Sequence, residues 1–167
     1  LTARLKDGPW AERGCGARAV SKNLEEWDVK PPLYAPYICA APEVTEIFMM
    51  GDRYYLFFSH GETHTTRYRV ADQLEGPYLC PDDDVLLPNW MYAPRSISKD
   101  GERYLIPWAA DHIGGRDDYQ PEYAPIWGGE GFTWGGVLGT PQLMRALPDG
   151  SLGLFYPAIV DRLLGER

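Results

Sequence analysis

Positive charge is scarce in this chain. Across 167 residues, 16 Lys and Arg stand against 24 Asp and Glu, a formal net charge of -8. Phosphate backbones are held by basic faces, so no nucleic-acid partner is expected. Long apolar runs are missing too. No stretch approaches the roughly 18 apolar residues of a membrane-spanning helix, so no membrane partner is expected either. Cysteine is rare and unpaired in pattern. Cys15, Cys39 and Cys80 lie far apart, form no Cys-x-x-Cys, and leave one over, which argues against a disulfide framework or a zinc site. No glycine loop of the phosphate-cradling kind occurs, and no cofactor is implied. Room for long helices is limited, because 18 Gly and 15 Pro make up about a fifth of the chain. What remains is an apolar fraction of 44% with 13% aromatics, too rich for disorder. An all-β fold is expected.

Self-similarity organises the rest. Gly51-Asp52-Arg53-Tyr54-Tyr55-Leu56-Phe57-Phe58 and Gly101-Glu102-Arg103-Tyr104-Leu105-Ile106-Pro107-Trp108 both lead from a glycine turn into an apolar aromatic strand, and Gly150 opens a third such segment. A second element recurs in another phase, from Arg18 to Trp27 and again from Arg69 to Tyr78, with Val20 and Val70 in equivalent places. A period near 50 with several short strands in each unit fits the blade of a β-propeller. Hairpins are expected around Gly51-Asp52, Asp100-Gly101 and Asp149-Gly150. Residues 111–136, rich in Gly, Asp, Pro and aromatics, read as a long loop, and Ala158 to Leu164 as a short helix. About three blades are present. A partial propeller leaves sheet faces uncovered, so residues 1–167 are expected to be a fragment of one propeller domain, completed by the remainder of that propeller.

Few side chains stand out chemically. Glu43 and Glu46 precede an apolar hairpin, a setting where desolvation raises a carboxyl pKa and suits it to general-acid work. Three residues apart on a regular strand, they are expected on opposite faces. His60-Gly61-Glu62-Thr63-His64 has two imidazoles and a carboxylate, yet lacks the His-Glu-x-x-His order of zinc hydrolases; it reads as a loop with no metal. Asp82-Asp83-Asp84 reads as a solvated acidic turn.

Four segments, in order, resemble glycoside hydrolase family 32, the invertase and fructanase family. Glu43-Val44-Thr45-Glu46-Ile47-Phe48 and its Gly51 hairpin resemble the family's Glu-Cys-Pro-Asp-Leu-Phe acid motif. Tyr92-Ala93-Pro94-Arg95, with the strand ending at Trp108, is similar to its Tyr-Ala-Ser/Pro-Lys segment. Gly139-Thr140-Pro141-Gln142-Leu143 with Asp149-Gly150-Ser151-Leu152 resembles a later blade, and Ala19 to Trp27 resembles the Ser-x-Asp-Leu-x-x-Trp element. The resemblance implies a five-bladed propeller, entered at about its third blade, and retaining hydrolysis of fructosides. It implies Glu43 as general acid/base, with Tyr92, Trp108 and Arg95 on the sugar. The motifs that carry the family's nucleophile (Asn-Asp-Pro-Asn-Gly) and stabiliser (Arg-Asp-Pro) do not occur in these 167 residues. Families 43 and 68 share the fold. A family 43-like arabinosidase or xylosidase, a carbohydrate-binding propeller, or an inactive fragment are therefore the alternatives.

Overall fold

The structure is a computed structural model and describes residues 1–88, 91–111 and 134–165. It is built almost wholly of antiparallel strands in three sheets. The first sheet has β1 (Thr2–Arg4), β2 (Gly14–Val20) and β3 (Asp28–Tyr34) in that spatial order. The middle sheet is a four-stranded meander of β4 (Pro42–Met50), β5 (Arg53–His60), β6 (Thr65–Ala71) and β7 (Val85–Leu87). In the last sheet β8 (Met91–Lys99) pairs with one edge of β9 (Glu102–Asp111). The other edge of β9 is shared by β10 (Trp134–Leu138) and β11 (Gln142–Ala146), and β12 (Leu152–Phe155) closes the sheet outside β11. Since β10 and β11 lie end to end along β9, this sheet is also a four-position meander whose third strand is interrupted. A helix, α1 (Ala158–Gly165), follows β12, matching the expected short helix.

The sequence of β5 shows why the sheets stack. Residues 55–58 are at most 1% exposed, so this strand is covered on both faces and carries no polar alternation until Ser59. On one side Tyr55 and Phe57 join Phe48, Tyr68, Leu105, Met144 and Leu152, locking the middle sheet to the last. On the other side Leu56 and Phe58 join Tyr34, Ala71 and Tyr78, locking it to the first. Each such side chain contributes about 1.5–3 kcal/mol on burial.

The blade-like repeat is present, with one adjustment to its phase. The β4–β5 and β8–β9 hairpins are equivalent by register, Met50 facing Arg53 and Lys99 facing Glu102, a step of 49 residues. Gly51 (φ +64°) is the first central residue of its turn, while Asp100 (φ +53°) and Gly101 (φ +80°) fill both central places of the other. Those are the II′ and I′ solutions to a two-residue hairpin, which is why the glycines themselves lie 50 apart. Gly150 is not the third member of this series. It lies between β11 and β12, the third and fourth positions of a sheet, whereas Gly51 and Gly101 join first to second. Strand β3 escaped the sequence reading because Pro31 and Pro32 hide its pattern. They fall where the pairing with β2 shifts register, the place a strand tolerates missing donors. Most of the segment expected as a long loop lies outside the described residues; its two described ends belong to β9 and β10.

Candidate functional site

Glu43 is the second residue of β4, opposite Ser59 on β5. Its placement starts one sheet away. Gly14 donates its N–H to the Cys39 carbonyl at 2.8 Å, and a Cβ there would lie 2.6 Å from that oxygen, so only glycine lets β2 press so close to the chain leading into β4. The pairing of β4 with β5 then slips between Glu43 and Glu46: three residues on β4 span the two from Ser59 to Phe57. Val44, in this bulge, has φ +47°. The bulge carbonyls are satisfied locally. Thr45 Oγ1 donates to the Pro42 oxygen at 2.9 Å, and Arg95 Nη1 to that of Val44 at 2.8 Å.

This extra residue overturns one expectation. A regular strand sends Glu43 and Glu46 to opposite faces, but a bulge between them restores the parity, and both reach the last sheet. Glu46 accepts from the Ser96 N–H at 3.1 Å, from the Ser96 hydroxyl, and from Arg103 Nη1 at 3.3 Å. Glu43 accepts from the Tyr92 hydroxyl at 2.8 Å through Oε2.

Tyr92 occupies the same place on β8 that Glu43 has on β4, 49 residues on. The same bulge follows it, with Ala93 at φ +43°, and the Ala93 N–H donates to Ser59 Oγ at 3.0 Å. Trp108 on β9 is the residue directly opposite Tyr92, so the two share a face at neighbouring-strand distance. Tyr92 is only 6% exposed. Burial, then the hydrogen bond to Glu43 and the charges of Glu43 and Glu62, push its phenol far above the ordinary tyrosine range. It is therefore a permanent donor. Arg95 has an exposed side chain that spends one N–H on the β4 bulge.

The turn between β5 and β6 borders the same pair. Of the His60–His64 segment, His60 ends β5 and the other four residues form the expected loop; the His64 imidazole beside Tyr92 is the feature sequence reasoning passed over. The ring centroids of His64 and Tyr92 are 5.7 Å apart. Glu62 in this turn accepts the Ala40 N–H at 2.6 Å, and His60 Nδ1 and Thr63 Oγ1 are 2.9 Å apart. Proximity of this turn to β8 had no local signal, since it depends on how two sheets stack. Cys39, fully buried nearby, has its thiol pushed up to about 11 by burial and by the Glu62 charge. Among the described residues no three His, Cys, Asp or Glu gather as a metal site would need.

The acidic turn at Asp82–Asp84 is only partly as expected. Asp84 is buried, with Arg67 Nη1 at 2.8 Å and Arg69 Nη1 at 2.6 Å. A cavity of about 780 Å³ opens on this part of the molecule, lined by Arg53, Asp72, Cys80, Asp83 and Asp149 among others. It lies at the Arg53 end of β5, six residues or about 20 Å of strand from Ser59, and is separate from Glu43.

With this geometry in hand, known structures give a consistent answer about the fold. An inulosucrase from Halalkalicoccus jeotgali bound to kestose superposes with a TM-score of 0.65 at 19% identity, over 90% of this chain and 42% of that one. A GH32 β-fructofuranosidase from Bombyx mori superposes at 0.64 and 15% identity, over 97% of this chain and 35% of that one. The fold is that of part of a glycoside hydrolase family 32 protein. A glycoside hydrolase family 32 structure from Bifidobacterium adolescentis agrees at 0.57 and 17% identity over 94% of this chain and 26% of that one. The chain thus spans well under half the length of each of these proteins. No family model matches the sequence, and no curated protein matches it.

Proposed function

We propose that this chain is the acid-bearing part of a family 32-like glycoside hydrolase domain that cleaves O-glycosyl bonds of fructosides with retention. The observation that carries the reading is the 2.8 Å hydrogen bond from Tyr92 to Glu43, made between equivalent bulges in the first strands of the middle and last sheets. The phenol fixes one carboxyl oxygen and leaves the other for a leaving-group oxygen. In a retaining mechanism Glu43 protonates that oxygen as the bond breaks. It then takes a proton from the water that releases the sugar from the nucleophile. The second carboxylate stands about 5–5.5 Å from the first in such enzymes. No Asn-Asp-Pro-Asn-Gly or Arg-Asp-Pro motif supplies it within these 167 residues, so the nucleophile belongs to the rest of a five-bladed propeller. Trp108 offers an aromatic surface to the apolar face of a sugar, and Tyr92 and Arg95 flank it. The kestose bound to the inulosucrase, and the sucrose bound to a variant of the Bombyx mori enzyme, support a fructoside as substrate.

The missing motifs favour one other reading, a propeller that binds carbohydrate without cleaving it. Glu43→Gln in the full-length protein separates the two. Hydrolysis of sucrose or inulin should fall by about 10²–10⁴ in kcat with KM little changed. Undiminished turnover in that variant removes Glu43 from the acid role. A wild-type protein that retains inulin on an affinity gel without hydrolysing it is a binder.

A further inference from the structure

The β5–β6 turn holds Tyr92 from two directions. At Gly61 a Cβ would lie 3.6 Å from the Tyr92 hydroxyl oxygen, so the turn passes beside the phenol that binds Glu43. At His64 the imidazole packs against the Tyr92 ring, tilted 58° to it. The turn is braced for this. Thr63 donates its N–H to the His60 carbonyl at 3.3 Å, and its hydroxyl lies 2.8 Å from that of Thr65. His64 itself has φ +50°, a conformation that Gly or Asn adopts more cheaply. The contact with the Tyr92 ring adds a side-chain role to that backbone conformation.

We propose that His64 is a positioning residue for the Glu43–Tyr92 pair: its imidazole keeps the phenol seated on the carboxylate. The proposal rests on the hydrolase reading above. Among the described residues, the groups around His64 include Glu43 from β4 and Tyr92 from β8, and Cys39 ahead of β4 and Glu62 of the same turn act on Tyr92. Burial favours the uncharged ring and outweighs the Glu43 charge, holding the imidazole below its ordinary 6.5. Near neutral pH, Glu43 therefore faces a phenol and a neutral ring.

Two variants of the full-length protein test this, with inulin or sucrose as substrate. His64→Ala removes the ring and is expected to lower kcat about tenfold with little change in KM, as a displaced catalytic group would. His64→Phe keeps a ring that cannot take a proton. It should recover most of that loss at pH 7. Wild-type kcat in His64→Ala, or a His64→Phe variant no more active than His64→Ala, overturns the proposal. A readout without turnover keeps it separate from the hydrolase reading: the His64 ring resonance, assigned by its loss in His64→Phe, is titrated in the wild type and in Glu43→Gln. Loss of the carboxylate should lower the His64 pKa. An identical titration in both proteins refutes the coupling even if Glu43→Gln abolishes hydrolysis. A lowered pKa with full turnover in Glu43→Gln instead sinks the hydrolase reading alone.

Discussion

Two carboxylates of the middle sheet, Asp84 and Glu43, are held in opposite ways. Asp84 meets two guanidinium groups, and Arg69 is in turn tied by Nε to the Tyr34 hydroxyl at 2.6 Å and by Nη1 to the Tyr68 carbonyl. Burial works against the charge on Asp84, yet the Arg69 hydrogen bond and the two cations outweigh it and hold the carboxyl below its ordinary value. Glu43 is bound by a neutral phenol, and among the described residues no Lys or Arg pairs with it. Two cations commit a carboxylate to bracing. A phenol orients a carboxyl group without supplying a counter-charge, which suits proton transfer. On the function proposed above, the charge of the partner, not burial, separates the structural carboxylate from the chemical one.

Removing Asp84 is the strongest way to break this contrast. Asp84→Asn leaves Arg69, 3% exposed, without its counter-ion, and should lower stability by about 3–5 kcal/mol in urea unfolding. Glu43→Gln, which strands no buried cation, should cost about 1 kcal/mol or less in the same assay. Comparable losses for both would show that Glu43 is also a brace. The Asp84 contribution carries a pH signature. Because its folded pKa is depressed, the stabilisation is complete above the ordinary 3.8 and is lost as pH falls through the folded value. Wild-type stability should therefore fall below pH 4 more steeply than that of Asp84→Asn.

The contrast was only half legible in the sequence. Repeating hairpins announced an all-β, blade-like chain because two-residue turns and double-sided burial each leave a local pattern, as at Gly51-Asp52 and in 55–58. Glu43 and Tyr92 were legible through motif resemblance. Their contact was not, because it joins residues 49 apart across two sheets. The face of Glu46 was misread because a bulge has no sequence signature here: Val44 is a poor residue for a positive φ. Asp84 passed for a solvated charge because its cations, Arg67 and Arg69, sit 17 and 15 residues earlier.

A smaller change sharpens the chemical side. Tyr92→Phe deletes the donor to Glu43 and keeps the ring against His64. Stability should drop by about 1 kcal/mol. Turnover of the full-length protein should fall while the variant still binds inulin. Unaltered turnover would mean that the phenol serves packing alone.

The smallest expected effect concerns strain. Six non-glycine residues in the described chain have positive φ, and three of them, Val44, His64 and Ala93, surround Glu43 and Tyr92; none is within the Arg67–Arg69–Asp84 cluster. Holding a β-branched residue in this conformation costs roughly 1–2 kcal/mol. Glycine would relieve it, less the greater freedom it gives the unfolded chain and the contacts of the half-buried Val44 side chain. Val44→Gly should therefore raise stability by at most about 1 kcal/mol, and Ala93→Gly by less, since alanine is not branched. If the bulge is held under strain to aim Glu43, Val44→Gly should also lower kcat, so that stability and turnover move in opposite directions. Had strain no part in the site, Val44→Gly would gain stability at full turnover, and the clustering of positive φ around Glu43 would be a by-product of two equivalent bulges and a tight turn.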